Sequence, residues 1–154
     1  MPAWLWPACA VALVLGAREL WRGPRPIALF YLLPAILSAA ALGDLVATRA
    51  GLILVVPAFI FSLLIGIGIG WNLVSATTRP IRTPGNIEVP TSVSPLLAAI
   101  ATVILHIAIF YIYGRWPALR ANPAIALEFS ATAALLAGIL WGRVFRLGRL
   151  ARRA

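Results

Sequence analysis

The chain has 154 residues, of which 62% are hydrophobic and only 11% charged. A water-covered domain carries about 25% charged residues, so this composition excludes an ordinary soluble fold. The net charge of +9 comes from 13 basic against 4 acidic residues; the basic side chains fall between and after apolar runs, which argues for topology and lipid headgroups over nucleic acid.

Every basic residue is arginine, a bias that fits a GC-rich, bacterial coding sequence. Mean hydropathy is +0.98. Cys9 is the single cysteine, so no internal disulfide is available and no Cys/His spacing suggests a metal. No catalytic or cofactor motif stands out, and the reading leans away from an enzyme.

The first apolar run covers residues 3–17. At 1.5 Å per residue it reaches about 22 Å, short of a hydrocarbon core about 30 Å thick. Trp4 and Trp6 open it, and Arg18, Arg22 and Arg25 follow it. Charges after the run, and none before it, favour a retained anchor with its N-terminus outside over a cleaved signal peptide. The second run, 27–42, contains Pro34 and ends at Gly43-Asp44. The third, 51–71, is uncharged throughout, contains Pro57 and closes on Trp71. Prolines inside such helices are tolerated, because neighbouring groups satisfy the freed carbonyls.

Residues 72–95 form the longest polar connection. Pro84-Gly85 predicts a type II turn, with short extended arms on either side. The fourth run, 96–113, is opened by Pro95 in the first helical turn and carries His106. The fifth, 125–141, carries Glu128. The expected fold is therefore an all-α, polytopic membrane bundle of five transmembrane helices over 1–141. A basic cytoplasmic juxtamembrane tail follows over 142–154, and its arginines at three-residue steps predict that it continues the fifth helix. Trp4, Trp6, Trp21, Trp71, Trp116 and Trp141 all fall near span ends, as an interfacial belt does.

Orientation follows from arginine placement. With the N-terminus outside, the inner segments 18–26, 72–95 and the tail hold ten arginines and the outer segments three. The positive-inside rule then puts the C-terminus in the cytoplasm of a plasma (inner) membrane.

Four features are candidates for function. His106 and Glu128 are ionisable groups inside spans, the default marker of a polar path. On antiparallel neighbours they are close enough in depth to pair, and the blander reading is one interhelical hydrogen bond and one interfacial carboxylate. Gly66 and Gly70 share a helix face at the spacing of a close helix contact, read first as packing within the monomer and second as an oligomer interface. Arg143, Arg146, Arg149, Arg152 and Arg153 are expected to meet anionic lipid headgroups. Asp44 and Arg49 are placed to pair across a short outer loop, at little energetic value.

The layout resembles a family of small bacterial inner-membrane proteins described only as a domain of unknown function. The resemblance lies in the opening Pro2-Ala3-Trp4-Leu5-Trp6, the arginines after the first helix, and the Arg79…Ile81-Arg82-Thr83-Pro84-Gly85 stretch. It continues in the helix from Pro95 carrying His106 before Gly114. The loop between Gly85 and Pro95 is longer here than in that pattern. The resemblance implies a multi-span bundle and assigns no residue a role. The leading functional expectation is a non-enzymatic membrane component or accessory subunit, with the bilayer, anionic headgroups and a second copy or a membrane protein as partners. No cofactor or nucleic acid is expected. The rival is a small transporter or channel component with a path through His106 and Glu128.

Overall fold

The computed structural model describes residues 5–21, 23–47, 52–75, 78, 80–83, 86–89 and 91–152. Five helices make up the bundle: α1 Leu5–Arg18, α2 Ile27–Ala47, α3 Leu52–Leu73, α4 Ser94–Arg115 and α5 Pro123–Ala151. Pro117–Ala121 adds a short 3-10 turn before α5. These are the apolar runs of the sequence, and a helix is the form in which each satisfies its own backbone. Pro95 sits in the first turn of α4. Asn122 caps α5, its side chain accepting from Ala124 N at 3.0 Å, and Pro123 follows in the first turn.

Three helices are long and apolar enough to cross a membrane: Ile53–Leu73, Ser94–Arg115 and Pro123–Ala151. The expectation was five. Within the described residues α1 and α2 contribute the shorter apolar stretches Trp6–Arg18 and Ala28–Gly43. The basic tail continues the fifth helix as its arginine spacing suggests, and α5 runs unbroken past 141 to Ala151. Nothing in Gly142–Ala151 breaks it: no proline occurs, and Arg, Leu and Val extend a helix readily.

Packing is built from small residues. Alanines dominate the buried interior, among them Ala41, Ala99, Ala134 and Ala137, all fully buried. Large side chains such as Ile53, Phe61, Leu64, Ile104 and Tyr111 point outward and are exposed. That inversion suits a lipid surround, where apolar groups gain nothing by hiding and helices gain by close approach. The tightest contact joins α3 to α5, which run parallel: Gly66 faces Gly138, and Gly70 and Gly142 follow one turn on. α2 runs antiparallel to α5. Trp141 Nε1 donates to Ser38 Oγ at 2.9 Å, and Tyr31 lies near both Trp141 and Gly148. α1 meets α4 where Gly16 approaches the Leu96 backbone.

Because α5 keeps level with α3, its last turns project beyond Leu73. There the connecting segments form a small cap. β1 (Arg25–Pro26), β2 (Ile81–Thr83) and β3 (Asn86–Glu88) make an antiparallel sheet in the order β1-β3-β2. The expected extended arms are present; the turn at Pro84-Gly85 lies outside the described residues. Beneath the cap Phe30, Val74 and Val89 bury against Val144, Leu147 and Ala151 of α5.

Candidate functional site at the basic end of the bundle

The two intramembrane ionisable groups are not brought together. His106 is 1% exposed. It lines a narrow crevice, no larger than a water molecule needs, between α1, α2 and α4, with Ala8, Cys9 and Ala12 opposite and Leu37 and Ala40 alongside. Its Nδ1 lies 2.7 Å from the Thr102 carbonyl oxygen. A carbonyl only accepts, so Nδ1 carries the proton and donates back along its own helix. Thr102 does the same one turn earlier, Oγ1 donating to Ala98 O at 2.8 Å. Glu128 is exposed on the outside of α5. The level of α5 that it occupies lies beside the outer end of α4, where Tyr113 stacks edge-on against Phe129 at 6.1 Å. The two side chains do not pair, and Glu128 is the exposed carboxylate of the blander reading. About two turns of helix and a change of face separate the groups, more than the single turn of depth suggested by the sequence. Among the described residues no group of three His, Cys, Asp or Glu side chains is close enough to hold a metal.

Gly66 and Gly70 do form a close-contact face, and their partner lies in the same chain. A Cβ on Gly66 would lie 3.0 Å from Gly138 Cα, and one on Gly142 would lie 2.7 Å from Trp71 N. Gly68, on the opposite face, has open space around it. The second glycine pair, Gly138 and Gly142, escaped notice in the sequence although it has the same spacing.

The arginines of α5 divide by what they touch. Arg143 is buried, and its Nη2 donates to Glu19 Oε2 at 2.8 Å, with side chains only 7% and 12% exposed. Ser92 N donates to the Glu19 carbonyl at 3.2 Å, so this acidic residue ties α1, α5 and the cap together. Arg143 is therefore committed to a protein partner, a correction to its place among the lipid-facing arginines. The reason is that it sits one step past Gly142, on the face turned inward by the α3 contact. Arg146 and Arg149 stand over the Trp71 ring, with guanidinium carbons 5.2 and 5.6 Å from its centroid. Arg152 is exposed at the helix end, and Arg153 lies outside the described residues, as does Arg49.

No family model, no curated protein and no solved structure matches this chain. Its function must be argued from its own geometry. Glu19, missed in the sequence, was visible only as an acid next to Arg18 at a span end. Ser38, which receives the Trp141 N–H, carried no signal beyond being a hydroxyl within an apolar run.

Proposed function

We propose that the protein is a non-enzymatic, multi-pass component of a bacterial inner membrane, acting as an accessory subunit that presents a rigid basic end to the cytoplasmic leaflet. In this reading α1 and α2 cross together with α3, α4 and α5, the N-terminus is outside and the C-terminus is cytoplasmic. The observation that carries it is the clustering at one end. Glu19, the β1–β3 sheet and the arginine-bearing turns of α5 all meet there. Those are the segments that the positive-inside rule assigns to one side. α1 is only 14 residues long, but its partnership with Arg143 and with the Leu96 backbone supports its insertion beside α4.

Arg146, Arg149 and Arg152 are placed to meet anionic headgroups, whereas Arg143 serves the internal pair. The transporter reading loses its support, since His106 and Glu128 occupy different faces. The outward surfaces of α3 and α4, rich in Ile, Leu and Phe, suit lipid or a membrane partner equally.

Crosslinking in native membranes, followed by purification in mild detergent, tests the subunit role. A defined complex with a second copy or a fixed partner protein is the expected result. Recovery of the chain only as a monomer overturns it.

A further inference from the structure

We infer that Trp71, Arg146 and Arg149 form a binding site for the phosphodiester headgroup of an anionic phospholipid. The inference deepens the headgroup contact proposed above and rests on α3 being a membrane span. Arg146 and Arg149 are one turn apart on α5 and both stand against the one indole ring of Trp71, at 5.2 and 5.6 Å from its centroid. Each gains from the ring quadrupole, yet like charges at this spacing repel. Among the described residues neither is in an ion pair, and Arg146 Nε is buried with no acceptor. A phosphate beside the two guanidinium groups offsets the repulsion and accepts from their terminal nitrogens. Stacking leaves the guanidinium edges, the donors that match phosphate oxygens, free to point away from the ring.

The surroundings favour a lipid over a free anion. Trp71 stands two residues before the end of α3, at a span boundary. Leu64, two turns back on the same face of α3, is 59% exposed, and Gly68 between them is open, so an acyl chain has apolar surface to run along. Arg143 takes no part, because Glu19 already holds it. The site thus combines two convergent cations, an aromatic platform at headgroup depth and a greasy wall below.

The test uses the full chain, delipidated in detergent and titrated with phosphatidylglycerol, phosphatidylcholine or inorganic phosphate, with bound species counted by native mass spectrometry. Wild type is expected to retain phosphatidylglycerol over phosphatidylcholine by about thirtyfold, the scale of two basic side chains at a membrane surface. The Arg146→Gln/Arg149→Gln double variant loses that preference. An Arg115→Gln/Arg120→Gln variant removes equal charge at the opposite end of the bundle and retains it, and Trp71→Leu weakens it. Equal loss in both double variants, or no preference in wild type, overturns the site. Displacement of phosphatidylglycerol by millimolar inorganic phosphate overturns the lipid assignment. Alkaline extraction of membranes separates the two levels. A chain that stays in the bilayer but shows no lipid preference sinks only the site, whereas a chain released into solution sinks the membrane reading.

Discussion

Adding one methyl group to the α3–α5 seam should loosen the bundle, and the position of the methyl should decide whether it does. In Gly70→Ala the new Cβ collides with the Ile139 carbonyl oxygen and lies 2.6 Å from the carbonyl carbon. Neither obstacle is a flexible side-chain tip; both are helix backbone. Restoring ordinary contact with that oxygen requires the helices to part by about 1.5 Å, and a gap of that size forfeits at least half of each dispersion contact it opens. Overpacking of this kind costs about 1–3 kcal/mol. Gly142→Ala meets the Ile67 carbonyl and the Trp71 amide one turn along the same seam. The double variant should therefore cost less than the sum, because one parting of the helices relieves both collisions. Gly68→Ala is the control. Its Cβ meets nothing, and the change should be neutral or stabilise by up to about 1 kcal/mol through helix propensity. Thermal unfolding in one detergent, with all four proteins compared, gives the answer. If Gly70→Ala is as stable as Gly68→Ala, the seam is not where the structure places it.

Further outcomes follow from the same geometry. Arg143→Met takes the guanidinium from the mostly buried Glu19 carboxylate and should destabilise by about 3 kcal/mol, while Glu19→Leu/Arg143→Met should cost less than the sum of the two single changes; unfolding in detergent measures the cycle, and independent, additive effects would dissolve the pair. His106→Ala removes a buried ring and should cost about 2 kcal/mol or more, whereas exposed Glu128→Gln should stay within about 0.5 kcal/mol. Their combined effect should be additive within about 0.5 kcal/mol; a larger coupling in the same assay would revive the polar pair. In a Cys9→Ser background, Ala118→Cys should react with an impermeant thiol reagent on whole cells and Ser75→Cys only after lysis, with the reverse pattern inverting the proposed topology.

How far the sequence reached depended on whether a feature was local. The five helices were legible, because long runs without charge leave the backbone one economical form. The extended arms around 81–88 were legible from their proline and glycine punctuation. The continuation of α5 through the arginines was legible too, because basic residues at three-residue steps with Val144, Leu147 and Leu150 between them keep a helical period. Facing was the hardest matter. A helix that is apolar all round carries no amphipathic stripe, so nothing in α4 told which neighbour His106 would meet. Gly66 and Gly70 were found because glycines at four-residue spacing are conspicuous in an isoleucine run. Gly138 and Gly142 sit in a more mixed stretch, and their complementarity appears only when α3 and α5 are laid side by side. Glu19 looked like a surface charge until Arg143, 124 residues later, turned up beside it.

The two kinds of contact in this bundle divide the labour of assembly. Lipid supplies no hydrophobic drive between helices, so the α3–α5 seam depends on backbone proximity that only glycine permits. That seam aligns the pair in depth, and the alignment leaves α5 protruding past Trp71. The protruding turns then carry side chains lipid would not tolerate deeper down. One arginine reaches back to α1, and two cover the ring that ends α3. Shift the seam by one turn and Arg143 loses Glu19 while Arg146 and Arg149 leave Trp71 together. The glycines in the apolar half therefore govern the geometry of the basic end, and a stability defect at Gly70 should reappear as a weakened lipid preference even though Gly70 touches no headgroup.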